Sequence, residues 1–211
     1  MSRCVIIGGA GIENYDKVRS QLRADDFFIF CDSGLKHMEG LGVNPDLIVG
    51  DFDSHEQPET DAEIIVLPRE KDDTDTVFAA KEAVRRGFEE FLLVGVIGAR
   101  LDHTLANISI LLMLDTAGKT AKAIDDFSEM EVVSAKADCV GTARIDESYA
   151  YFSLLNITGE AEGITIRNAK FPLEDGQIDC DYQYAVSNEV LPGKIAEVSI
   201  AKGRLLLIKI F

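Results

Sequence analysis

Apolar positions fall into two regimes along the chain. Up to about residue 126, short runs of consecutive apolar residues alternate with longer stretches in which apolar positions recur every three or four residues. Cys4-Val5-Ile6-Ile7, Phe27-Phe28-Ile29-Phe30, Asp46-Leu47-Ile48-Val49, Ile64-Ile65-Val66, Phe91 to Val96 and Lys122-Ala123-Ile124 read as strands. Between them, Asn14 to Arg23, with Tyr15, Val18 and Leu22 at helical spacing, predicts a helix, as do Leu35 to Leu41, Asp75 to Arg86 and Asp102 to Thr116. Gly42, Gly87 and Gly118 follow the last three, where helices ordinarily stop. Strands apolar at every position are covered on both faces, and strands separated by helices pair in parallel. After Asp126 the period changes. Glu131-Val132-Val133, Tyr149 to Leu154, Gly163 to Ile166, Ala196 to Ile200 and Leu205 to Ile210 are strand-like, several of them alternate, and no helix of ordinary length is evident. The segment Ile200 to Leu205 predicts a hairpin turn with its glycine, Gly203, left-handed. The chain thus reads as an α/β domain over 1–127, a parallel sheet flanked by helices, followed by an all-β, sandwich-like domain over 128–211.

Charge narrows the partners. Lys and Arg number 21 against 37 Asp and Glu, a formal charge of −16. Counterion release from nucleic acid needs a basic footprint, which this balance lacks, so nucleic acid is excluded as a partner. Cys4, Cys31, Cys139 and Cys180 form no CxxC pair; Cys4 and Cys31 lie in apolar runs, where a free thiol acts as a small buried hydrophobe. The longest apolar stretch, Ile108 to Leu114, is too short to span a bilayer, and no charged, apolar leader opens the sequence. A reduced, cytoplasmic protein with no membrane association is the expectation.

Three acidic clusters carry the candidate chemistry. Gly50-Asp51-Phe52-Asp53-Ser54 and Arg100-Leu101-Asp102-His103 follow strand-like runs; Lys71-Asp72-Asp73-Thr74-Asp75-Thr76 leads into a helix. Strand ends in an open α/β sheet converge on one crevice, and carboxylates gathered there repel one another unless a positive group sits among them. Few basic residues lie in these loops, and Mg²⁺ with a phosphate-bearing ligand is the economical answer. Asp51 and Asp53, two apart, face the same way in extended chain, although Asp is also a common turn former. Asp73 or Thr74 would serve as an ordinary helix cap, but three carboxylates within four residues exceed what a cap needs, and this favours a functional Asp75. Ser54 either donates to a phosphate or caps the next segment. Lys71 is placed to reach an ATP phosphate. The run Gly95-Val96-Ile97-Gly98-Ala99-Arg100 passes from strand to helix in the way that offers backbone N–H groups to phosphate, with Arg100 as a bidentate donor. It lacks the Lys-Ser/Thr of a Walker A loop, which excludes an ordinary P-loop. His103 is either a general base or a hydrogen-bonding residue at a helix start. On these residues alone, a phosphatase-like hydrolase, a pterin-alcohol pyrophosphokinase and a non-enzymatic nucleotide sensor remain alternatives.

Taken together, Cys31-Asp32-Ser33-Gly34, Pro45 to Ser54, Glu70 to Thr76, Gly98 to Asn107 and Ser187-Asn188-Glu189 resemble the thiamine pyrophosphokinase family, and the resemblance runs over nearly the whole chain. It implies transfer of a pyrophosphoryl group from ATP to the hydroxyethyl group of thiamine, giving AMP and thiamine diphosphate, with Mg²⁺ as the metal. It also implies that Asp51, Asp53, Asp75 and Asp102 are the catalytic and metal-binding acids and that Asp32, Ser54, Lys71, Thr74, Arg100 and His103 contact ATP. Ser187 and Asn188 match the stretch that lines the thiamine pocket, with Tyr182 and Tyr184 nearby. A homodimer with a shared active site is implied as well.

Overall fold

The computed structural model describes residues 2–52, 60–70, 72–137 and 139–211. The chain divides into two compact units, Met1–Asp126 and Phe127–Phe211. In the first, strands β1 (Cys4–Ile7), β2 (Phe27–Cys31), β3 (Leu47–Gly50), β4 (Glu63–Val66), β5 (Glu90–Val94) and β6 (Thr120–Ile124) lie in the order β4-β3-β2-β1-β5-β6. Every one of these pairings is parallel. The reason lies in the composition of the strands: all four residues of β1 and of β3 are buried, so no face can meet water and the connections must cover both. The connections are helices α1 (Asp16–Arg19), α2 (Met38–Leu41), α3 (Asp75–Arg85) and α4 (Leu101–Thr116), with a 3-10 helix over Asp32–His37 ahead of α2. The chain builds outward from β1 to β4 and then returns to lay β5 on the other side of β1. Loops leaving β1 and β5 therefore diverge, and the crevice outside their carboxyl ends is the place where such sheets take ligands.

Two local expectations are corrected. The helix expected over 14–23 shrinks to Asp16–Arg19. Arg3 claims the Gln21 carbonyl at 2.6 Å and Asp26 claims the Arg23 N–H at 2.7 Å, so tertiary bonds take the backbone groups that a longer helix would have used. The stretch that begins at Asp32 opens as a 3-10 helix, and only its last turn is α-helical. Cys4 and Cys31 are buried free thiols, and burial pushes the Cys4 thiol up to about 12. Among the described residues no helix is long and apolar enough to cross a membrane.

The second unit is antiparallel: β7 (Ser128–Ser134), β8 (Gly141–Ile145), β9 (Tyr151–Leu155), β10 (Ala161–Arg167), β11 (Leu173–Gln177), β12 (Ala196–Ile200) and β13 (Lys202–Ile210). β13 pairs with β7 and β9, while β10 pairs with β11 and β12, and β12 with β8. Phe152, Leu154, Ile164, Ile166, Val198, Ile200, Leu205 and Leu207 fill the core between them. The hairpin expected around Ile200 to Leu205 is replaced by a corner. Gly203 is left-handed as expected, with φ +87°, but β12 and β13 form no ladder with each other; β13 instead meets the start of β10 at Ala161 and Glu162. The close approach demands glycine, since a Cβ at Gly203 would stand 1.8 Å from the Glu160 carbonyl oxygen. The expected α/β-then-β architecture matches what is observed.

Candidate functional site

A cleft of about 330 Å³ opens at the crevice between β1 and β5. Gly9, Ala10 and Gly11 enter it from the end of β1, Cys31 and Ser33 from the end of β2, and Gly95, Val96, Gly98, Ala99 and Arg100 from the loop after β5. Thr74, Asp75 and Thr76 reach it from the start of α3, and His103, Thr104 and Asn107 from the first turns of α4. Both long helices therefore present their N-terminal turns to the cleft, where unsatisfied N–H groups and the macrodipole favour an anion.

Local bonds hold these loops. Gly8 N–H donates to Val94 O and Ala10 N–H to Gly95 O, both at 2.8 Å, so the first loop is laced to the fifth strand. Thr104 Oγ1 accepts from Gly98 N at 3.1 Å, and Asn107 Nδ2 donates to Val96 O at 2.8 Å, fixing the loop after β5 onto α4. Thr74 caps α3, its Oγ1 accepting from Val77 N at 3.3 Å. Asp73 pairs instead with Lys81 at 2.6 Å.

Of the residues expected from sequence, Thr74, Asp75, Arg100 and His103 meet on this cleft. Asp32 is buried at the start of the 3-10 helix, accepts the Ser33 N–H, and packs on the end of β3, where a Cβ on Gly50 would come within 2.5 Å of its own Cβ. Asp51 follows β3 half-buried, and the next residue, Phe52, has φ +49°, a left-handed backbone rarely adopted by a bulky side chain. Asp53, Ser54 and Lys71 lie outside the described residues. Asp102 does not line the cleft: Arg100 grips it with two bonds, Nε to Oδ1 at 3.0 Å and Nη2 to Oδ2 at 2.7 Å. That grip holds the Asp102 carboxyl far below the usual carboxylate range. Among the described residues no three His, Cys, Asp or Glu side chains converge as an all-protein metal cage would require. Of the four acids expected to converge, Asp53 lies outside the described residues.

In the second unit, the Asn188 side chain is committed to backbone: Nδ2 donates to Phe171 O at 2.8 Å, and Oδ1 accepts from Phe171 N at 3.0 Å and Glu189 N at 2.9 Å. Ser187 is exposed, with φ +58°, and its N–H donates to Ser153 Oγ at 3.0 Å. Beside them Phe171, Leu173, Tyr184, Val186 and Asn188 line a pocket of about 100 Å³. Tyr182 and Tyr184 lie ring to ring at 5.5 Å, both exposed. Of the four non-glycine residues with positive φ among the described residues, Asn168 and Asp175 are types that tolerate it, whereas Phe52 and Ser187 are not, and each of these two neighbours an expected site residue.

Sequence reasoning missed Ser33, Thr104 and Asn107 and assigned no role to Gly9-Ala10-Gly11. The signal for the last was present, a glycine-rich run directly after the first strand. The other three lie within the stretches that carry the family resemblance, but small hydroxyl and amide side chains become site residues only through the packing of α4 and the 3-10 helix, so no role was assigned to them.

Comparison with known proteins gives the same picture. The thiamin pyrophosphokinase catalytic domain matches residues 18–123, and the thiamin pyrophosphokinase vitamin B1 binding domain matches residues 142–205. The thiamine pyrophosphokinase of Bacillus subtilis (strain 168) is 26% identical over 188 residues, covering 86% of each chain. Among solved structures, a thiamin pyrophosphokinase from Geobacillus thermodenitrificans superposes with a TM-score of 0.83 at 26% identity, covering 99% of this chain and 97% of that one. The Bacillus subtilis crystal structure shares the fold at a TM-score of 0.85 and 22% identity, covering 99% of both chains. With one domain model matched over half of its length and the companion model over most of the remainder, the chain belongs to the thiamin pyrophosphokinase family.

Proposed function

We propose that the cleft of the first unit binds the triphosphate of ATP and that the enzyme transfers its β,γ-pyrophosphoryl group to the hydroxyl of thiamine, releasing AMP. The observation that carries this reading is the convergence of two helix N-termini, a glycine loop, Arg100 and Asp75 on one cleft at the turning point of a parallel sheet. Such a transfer needs positioning and charge neutralisation more than covalent help from the protein. The hard carboxylate oxygens of Asp75 and Asp51 fit Mg²⁺, which binds through one or two carboxylates together with substrate phosphates and does not need a closed protein cage. When bound, Mg²⁺ supplies charge neutralisation on the phosphate oxygens. Asp75 orients the attacking hydroxyl, the N–H groups at the starts of α3 and α4 receive phosphate oxygens, and Asp102 holds the Arg100 guanidinium at the mouth of the cleft. The family resemblance assigns Asp53 to the metal-binding acids and Ser54 and Lys71 to ATP.

Ser187 and the pocket beside Asn188 form the thiamine side, with Asn188 shaping the pocket through its backbone bonds. The working unit is a homodimer with a shared site; exposed Leu101 and Leu105 on α4 and exposed Phe171, Tyr182 and Val186 support a second copy as partner. ATP as co-substrate supports a cytoplasmic location. Incubation with ATP, Mg²⁺ and thiamine, followed by chromatography, should give AMP and thiamine diphosphate; ADP with thiamine monophosphate would refute the reading. Chelation by EDTA at fixed ionic strength should weaken ATP binding by about tenfold or more, because the triphosphate then meets a negative rim. Full activity from a species that sediments as a monomer would refute the shared site.

A further inference from the structure

Behind the glycine loop stands a buried histidine with no role in the reaction as described so far. His37 is 2% exposed; its Nε2 lies 2.7 Å from the Ala10 carbonyl oxygen, and its Nδ1 lies 2.8 Å from the Tyr15 hydroxyl. A carbonyl oxygen only accepts, so Nε2 carries a proton; in the neutral ring Nδ1 is then an acceptor and Tyr15 O–H donates to it. The neutral ring thus has one defined tautomer. Burial pushes the His37 pKa down, Lys36 pushes the same way, and the bond to Ala10 opposes them only in part, which suits a neutral ring. The neighbouring Lys36 Nζ donates to the Gly9 carbonyl at 2.5 Å, so two successive side chains hold two successive carbonyls of the loop. His37 also abuts the second loop of the cleft, its Nε2 lying 3.4 Å from where a Cβ on Gly95 would stand.

A trans peptide points its N–H opposite to its C=O, and no peptide bond among the described residues is cis. Holding the Ala10 carbonyl toward His37 therefore turns the Gly11 N–H the other way, and Gly11 lines the cleft. We infer that His37, fixed by Tyr15, is a positioning residue for the nucleotide: it sets the Ala10–Gly11 peptide plane so that the Gly11 N–H meets a phosphate oxygen. This rests on the nucleotide reading of the cleft and adds to it a residue outside the acidic clusters.

The test is titration calorimetry of the whole protein with Mg-ATP, together with KM for each substrate, for wild type, His37→Leu, His37→Gln and Tyr15→Phe. His37→Leu should weaken Mg-ATP about tenfold, the loss of one charge-assisted hydrogen bond, and raise the KM for ATP equally, with kcat and the thiamine KM within about twofold. His37→Gln places an amide N–H where Nε2 was and should restore most of the affinity, and Tyr15→Phe should lose about threefold. A purely structural role would instead lower the active fraction and leave the surviving molecules with wild-type affinity. Binding within twofold of wild type in His37→Leu, or in Tyr15→Phe should the leucine variant not fold, overturns the inference, as do equal losses in the leucine and glutamine variants. Wild-type protein that does not bind Mg-ATP at all refutes the nucleotide reading of the cleft itself.

Discussion

The two ends of the parallel sheet in the first unit use the same residue types for opposite purposes. At the amino end several carboxylates have their counter-charge built in: Arg3 forks onto Asp26 at 2.9 and 2.6 Å, Arg23 onto Glu90 at 2.6 Å by both nitrogens, and Arg86 bridges Glu63 at 2.5 Å and Glu82 at 2.7 Å. Lys119 adds a bond to Glu89 at 2.5 Å. At the carboxyl end, acids stand beside glycine loops and helix starts, and the pairing between Arg100 and Asp102 lies in the open, its side chains 72% and 65% exposed. An amino end that neutralises itself gives stability and leaves nothing for a ligand to supply. A carboxyl end that keeps Asp75 on a cleft leaves counter-charge for a ligand to supply.

Substitutions at the two ends should separate accordingly. The largest effect is expected at the cleft: Asp75→Asn keeps the size of the side chain and removes one charge, and kcat/KM should fall on the order of 10³-fold while thermal unfolding stays close to wild type. Steady-state assays at saturating Mg²⁺ check this, and a loss below tenfold would remove Asp75 from the mechanism. Asp26→Ala should do the reverse. It leaves the Arg3 guanidinium buried without its partner, where the paired side chains are 7% and 0% exposed. The cost should be about 3–5 kcal/mol in urea unfolding, with the KM for ATP unchanged in the folded fraction. A changed KM with unchanged stability would dissolve the division between the two ends.

That division was only half legible in the sequence. Consecutive apolar runs announce buried parallel strands, so β1, β2, β3 and β5 and the change to an all-β second unit could be read directly. Strands β8 and β11 could not: Gly141-Thr142-Ala143-Arg144-Ile145 and Leu173-Glu174-Asp175-Gly176-Gln177 carry too few apolar residues, and only pairing with β12 and β10 makes them strands. Asp75 and Arg100 were found because their neighbours mark strand-to-helix junctions. The roles of Asn188 and His37 were hidden, since each depends on backbone groups of segments distant in the chain: Phe171 for one, Ala10 for the other. Asp102 was grouped with the cleft acids by its place after the strand-like run from Phe91 and by the family resemblance. Nothing in the spacing of Arg100 and Asp102 says that the arginine turns back onto the carboxylate.

The smallest effect tests whether the charge of the amino end really is internal, and it is read from pH. Hydrogen bonds from Arg85 outweigh the cost of burying Glu82, Arg86 adds to them, and together they lower its pKa from 4.5 to about 2. A carboxylate whose folded pKa is depressed contributes stability that is fully present above its unfolded pKa and is lost as pH falls through the folded one. The window for Glu82 is therefore about pH 4.5 down to about 2. Arg85 is 72% exposed, and solvent screens its share, so the contribution should be about 1 kcal/mol and no more. Urea unfolding of wild type and Glu82→Gln should differ by that amount at neutral pH, and the gap should close across the window as the wild-type carboxyl takes up its proton. A gap that stays constant down to pH 2 would mean that Glu82 holds α3 by packing and not by charge. The self-neutralising account of the amino end would then rest on the pairs Arg3–Asp26, Arg23–Glu90, Arg86–Glu63 and Lys119–Glu89.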